Sequence, residues 1–141
     1  MTKKIILSAL FLLTIHSIRA QTAQEAFRAY IVNNEYEVYM RINLYEQNVT
    51  VPGHELYGEL PGFLGKRNNS FCWVITSCKV KNEKEAKLQL INDFGSEDLS
   101  ATLIRQNDST YILRQDEGNT IKVPLKGKWQ KLPKTLDFIR K

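Results

Sequence analysis

From residue 35 onward the side chains change character at every second position, and that alternation limits the fold more than any other feature. Tyr36, Val38, Met40, Ile42 and Leu44 alternate with Glu35, Glu37, Tyr39, Arg41 and Asn43. A period of two places one set on each face of an extended chain. The same alternation recurs around Ala86, Leu88 and Leu90, around Leu99, Ala101 and Leu103, around Tyr111 and Leu113, around Ile121, Val123 and Leu125, and at Leu136 and Phe138. Ser70 to Val80 is a further strand with apolar residues on both faces.

The links between these strands are short and rich in turn formers: Asn82-Glu83-Lys84, Asn92 to Asp98, Asn107-Asp108-Ser109 and Asp116 to Asn119. Parallel neighbours need a crossover of about a dozen residues or more, so short links require antiparallel pairing. The expected fold is mainly β, an antiparallel up-and-down meander of about seven to eight strands. It closes as a small barrel or, as the alternative, packs as a two-sheet sandwich. Pro124 marks an edge or a bulge. Ahead of the strands, Thr22-Ala-Gln-Glu25 reads as a capping box, opening a short N-terminal helix with Ala26, Phe27, Tyr30 and Ile31 on one face.

Residues 1–20 read as a sorting signal. Lys3 and Lys4 precede the apolar run Ile5 to Ile15, and Ala20 ends a small-residue cleavage point before Gln21. The run is about half the roughly twenty residues that a spanning helix needs, so no membrane anchor is expected after cleavage. The expected location is secreted or periplasmic, with residues 21–141 as one domain. Of the 20 basic residues, Lys3, Lys4 and Arg19 leave with the signal while all 15 acidic ones stay, so the net charge falls from +5 to +2. That balance argues against nucleic acid as a partner. Lys122, Lys126, Lys128, Lys131 and Lys134 around Trp129 read as a solvated strand face.

Val51 to Asn69 breaks the rhythm, holding Gly53, Gly58, Gly62, Gly65, Pro52 and Pro61. It reads as a short strand near Glu55–Leu60 followed by a long apolar-tipped loop. Its residues Tyr57, Phe63 and Leu64 are candidates for a partner-binding loop, alongside Tyr39 and Tyr45, or else they cover one end of the core.

Catalytic signals are weak. The two cysteines, Cys72 and Cys78, lie six residues apart. Six strand residues span roughly 20 Å at about 3.3 Å each, whereas bridged Cα atoms lie within about 7 Å. Two buried thiols on one face is the leading reading, with a local bridge, an intermolecular bridge and a reactive thiol as alternatives. His54 is the single histidine after the signal. It could serve either cysteine as a base, or join them and Glu55 as metal ligands, but no paired ligand spacing supports either. Asp93-Phe94-Gly95 and the acids near it read as turn residues. No catalytic residue, metal or cofactor is assigned.

Two polar residues carry inward parity: Arg105 continues Leu99, Ala101 and Leu103, and Gln115 continues Tyr111 and Leu113. An inward charge is costly unless paired or placed near a rim. Arg105 could anchor the acid head of an apolar ligand, with Gln115, Met40, Trp73 and Tyr111 beside it, or snorkel at a strand end. With its signal, short helix, meander and late inward arginine, the chain resembles a lipocalin-type exported barrel. The family's Gly-x-Trp near the first strand is absent, and the triplet Gly127-Lys128-Trp129 falls late. The resemblance implies a non-enzymatic binding module for a small apolar or amphiphilic ligand. The alternative is a cell-envelope protein-interaction or inhibitor domain acting through the 51–69 loop.

Overall fold

The computed structural model describes residues 25–141; the expected sorting signal and most of the expected capping box lie outside the described residues. Eight strands form a closed antiparallel barrel. They are β1 (Arg28–Asn33), β2 (Val38–Asn43), β5 (Gly62–Lys66), β6 (Cys72–Val80), β7 (Glu85–Asn92), β8 (Asp98–Arg105), β9 (Thr110–Gly118) and β12 (Thr135–Arg140), adjacent in that order around the wall. β12 returns to β1 through Ile31↔Arg140 and Val32↔Ile139, so the wall has no free edge. Two short hairpins are inserted: β3 (Val49–Thr50) with β4 (Glu59–Leu60), and β10 (Lys122–Leu125) with β11 (Lys128–Lys131). The meander closes as a barrel and not as a sandwich. Among the described residues no helix is long and apolar enough to cross a membrane.

Alternation fills the interior. Ile31, Met40, Leu64, Leu88, Leu103 and Phe138 come from six different strands and are all fully buried in one apolar cluster. Each such side chain taken from water stabilises the fold by about 1.5–3 kcal/mol.

Three local expectations are corrected. Arg28–Asn33, over which a helix was expected to continue, are β1. This segment pairs with β2 at six positions and also with β12, so two ladders of backbone hydrogen bonds and barrel closure outweigh a local capping signal. Second, the expected loop after Leu60 contains a wall strand, β5, whose residues are buried throughout. Phe63 and Leu64 therefore pack into the wall and are not available to a partner. Glu55–Leu60 is not one strand; it is a 3₁₀ turn, Glu55–Tyr57, followed by β4.

Third, Cys72 and Cys78 are free and face opposite sides of the wall. The β6–β7 register slips between Ile75 and Ser77, leaving Thr76 as an extra residue. One inserted residue reverses the parity of everything after it. Cys72 therefore lies outside with Phe63 and Val74, while Cys78 packs against the interior and its Sγ–H donates to the Leu44 carbonyl at 3.6 Å.

Candidate functional site

The barrel has two mouths. One holds the turns at 81–84 and 106–109. The other, here called the upper mouth, holds the turns at 34–37, 67–71 and 93–97 together with the β10–β11 hairpin. The chemistry gathers at the upper mouth.

The segment between β3 and β4 reaches it as a flap along the outside of the wall. Val51 and Leu60 pack on Phe63, Cys72 and Val74, covering the outer face of β5 and β6. This is why β5 lacks alternation: both of its faces are dry. The flap turns back at Pro52-Gly53, where Gly53 has φ of 79° and the His54 amide donates to the Val51 carbonyl at 3.0 Å. Proline then glycine at the two central positions, with positive φ at the second, is a type II turn. It delivers His54 and Tyr57 to the barrel, their rings stacked 5.3 Å apart.

His54 is held on both sides. Its Nε2 lies 3.1 Å from the Ser70 carbonyl oxygen and its Nδ1 lies 3.3 Å from Asp93 Oδ1. The Tyr57 hydroxyl donates to both Oδ1 and the carbonyl of Asp93, at 3.0 and 3.1 Å. Cys72 completes the group; the ligand atoms of His54, Cys72 and Asp93 all lie within 4.8 Å of one another. Burial, aided by the Asp93 charge, pushes the Cys72 thiol up to about 12. The imidazole turns Nε2 to Ser70 and Nδ1 to Asp93, and among the described residues no hydrogen bond joins it to the Cys72 thiol. The trio therefore lacks the nucleophile–base contact that cysteine catalysis needs.

Asn92 shapes the neighbouring turn. Its Oδ1 accepts from the Ser96 and Glu97 amides at 2.9 and 3.2 Å, and its Nδ2 donates to Ser96 Oγ at 3.1 Å. The turn so fixed presents Phe94 to solvent, 70 % exposed. Trp129 on β11 stands beside it, 53 % exposed. Phe71 joins them, its ring 4.9 Å from Trp129 and 5.7 Å from Phe94. The three rings border a pocket of about 230 Å³ that also touches Trp73, and whose polar wall is the Lys122–Glu97 ion pair at 3.3 Å. Next to it, a groove of about 420 Å³ runs between Tyr57 and Leu60 on the flap and Val74 and Ile91 on the wall.

Comparison with protein-family models, with curated proteins and with solved structures found no match. Nothing beyond the geometry therefore assigns these residues.

The residues expected to line an interior ligand site do not form one group. Met40, Trp73 and Tyr111 share the core, but as packed side chains. Tyr111 donates its hydroxyl to the Ala26 carbonyl. Arg105 pairs with Asp108 at the lower mouth. Gln115 lies on the stretch of β9 that rises to the upper mouth. It donates to the Pro133 carbonyl at 2.9 Å and accepts from the Ile121 amide at 2.7 Å, tying down the chain on either side of β10–β11. Arg105 and Gln115 thus serve opposite ends; the polarity of Gln115 is met by the protein itself, whereas Arg105 Nε is buried without a hydrogen-bond partner among the described residues. Of the expected set only Trp73 borders the mouth pocket. Phe71, Phe94 and Asp93 were not singled out as site residues. A large aromatic inside the turn-rich stretch Asn92 to Asp98 was the one local signal that could have found Phe94.

Proposed function

We propose that this protein is an exported, non-enzymatic binding module that takes a small amphiphile at the upper mouth of its barrel. The carrying observation is the pairing of exposed Phe94 and Trp129 over the pocket floored by Phe71 and Trp73. At about 230 Å³ it is smaller than the roughly 300–1,000 Å³ of pockets that enclose drug-sized ligands. It therefore suits a single ring or the end of an alkyl chain. Aromatic faces supply apolar contact, while Lys122 and Glu97 offer charge to a polar head. The up-and-down barrel of eight strands is also the lipocalin architecture, but the reading rests on the mouth pocket and not on an interior cavity.

The test is titration with fatty acids, alkyl glycosides and aromatic acids, following tryptophan emission and heat. Binding with a shift in emission is expected, and Trp129→Ala and Phe94→Ala should each weaken it by more than about tenfold while far-ultraviolet circular dichroism stays unchanged. Saturable binding that both variants retain, or no response across the panel, would remove this reading.

A second reading, docking to a cell-envelope protein, is favoured by Leu56, which is fully exposed at the 3₁₀ turn beside half-exposed Tyr57. It predicts that Leu56→Glu abolishes capture from envelope extract without altering amphiphile binding.

A further inference from the structure

His54 presents a problem of protons. A carbonyl oxygen only accepts, so the Nε2 facing Ser70 carries hydrogen and donates. The neutral ring then has a lone pair on Nδ1, which faces the Asp93 carboxylate oxygen at 3.3 Å. Two acceptors so placed repel unless something positive stands between them.

We propose that His54 Nδ1, Cys72 Sγ and Asp93 Oδ1 form a binding site for a zinc-class divalent cation that pins the flap to the barrel wall. Imidazole, thiolate and carboxylate are all zinc donors. A tetrahedral ion with ligands at about 2.0–2.1 Å holds its nitrogen and oxygen donors about 3.3–3.4 Å apart, and His54 and Asp93 stand at 3.3 Å. Donation from the far ring nitrogen to a backbone carbonyl is the contact that metal-bound histidines usually keep, since it fixes the tautomer and the ring plane. His54 and Asp93 side chains are 19 % and 17 % exposed, which leaves the ion an approach from solvent. The three ligands come from the flap, from β6 and from the β7–β8 turn, so the ion cross-links the flap to the paired β6–β7 hairpin, which it otherwise meets through side chains, those of His54 and Tyr57 among them. On binding, the Cys72 thiol proton leaves to water and the sulfur electron pair forms the bond to the metal. The site is separate from the mouth pocket, and its failure would leave the amphiphile reading untouched.

The experiment is titration of the reduced full chain with Co²⁺ as a spectroscopic stand-in, then with Zn²⁺. Expected are saturation at one ion per chain, a sulfur-to-cobalt charge-transfer band, displacement of cobalt by zinc, and a zinc-dependent rise in the melting temperature. Cys72→Ser should abolish the band and Cys78→Ser should keep it. His54→Ala and Asp93→Asn should each weaken zinc binding by more than about tenfold. The wild-type spectrum decides by itself should a variant misfold. No charge-transfer band in the folded wild type, or a band that follows Cys78 instead, overturns the proposal. In the first case His54 and Asp93 form an imidazolium–carboxylate pair only.

Discussion

The indole Nε1–H of Trp73, on the inner face of β6, donates to the carbonyl of Lys122 at 2.9 Å. This bond joins the barrel wall to the β10–β11 arm beside the upper mouth. Trp73→Phe keeps most of the ring packing but leaves that carbonyl without its donor, which should cost about 1–3 kcal/mol. The urea midpoint should fall with little change in slope, and amides of residues 121–132 should exchange faster. Unchanged exchange there would show that the arm is held by other contacts.

Tyr57 and Asp93 form the corresponding tie for the flap. Because both bonds lie at the surface, Tyr57→Phe should change global stability by no more than about 0.5 kcal/mol. Its effect should be local. Limited proteolysis within residues 53–58 should accelerate while the barrel core stays intact, and equal cleavage rates in both proteins would count against this role.

The two thiols should be inert in the native protein. With Cys72 at about 12, the thiolate fraction at pH 8 is on the order of one in ten thousand. Burial raises Cys78 as well. A disulfide-exchange reagent at pH 8 should therefore report no rapid thiol in the folded state and two after guanidinium unfolding. One fast-reacting thiol before unfolding would contradict the burial described here.

Asp116 links stability to pH. Burial alone would push its carboxyl up, but hydrogen bonds from Thr102 and Arg114 and the charges of Arg114 and Lys87 outweigh that and hold it below the ordinary value. Thr102 Oγ1 donates to Asp116 Oδ2 at 2.6 Å and Arg114 Nε donates to Oδ1 at 2.9 Å. A depressed carboxyl contributes stability that is complete above its unfolded pKa, near 3.9, and is lost as pH falls through the folded value. The wild type should exceed Asp116→Asn in stability at pH 6, with the gap closing below about pH 4. Parallel curves across pH 2–6 would show that this carboxylate does not contribute.

Gly65 makes room for a neighbour. A Cβ built there would stand 2.5 Å from the Tyr39 ring, which lies across β5 and meets Phe63 edge-on at 5.7 Å. Gly65→Ala should destabilise by about 1–3 kcal/mol. Adding Tyr39→Ala should recover part of that loss, as a chemical-denaturation double-mutant cycle can measure; strictly additive losses would argue against the clash.

The sequence alone determined the strands whose two faces meet different surroundings. β2, β7, β8, β9 and β12 each have a dry interior side and a wetter exterior, so hydrophobic character alternates and the side-chain period can be read locally. The short turns then required antiparallel neighbours and a meander of about seven to eight strands, while the choice of closed barrel over sandwich was made by the β1–β12 pairing.

Tertiary structure decided everything that depends on distant chain. The flap dries the outer face of β5, which removes its alternation and makes a wall strand look like a glycine-rich loop. One extra residue at Thr76 sends Cys72 outward, a slip visible only in the pairing with β7. His54 and Asp93 are far apart in the chain and on separate elements, and no local pattern marks them as neighbours. They meet because the β6–β7 pairing, with Trp73 opposite Asn92, sets the β7–β8 turn beside β6 while the Pro52-Gly53 turn folds the flap onto the same wall. Local sequence encodes which face of a strand is apolar, whereas contacts between remote segments arise only once strands have paired and the flap has packed on them.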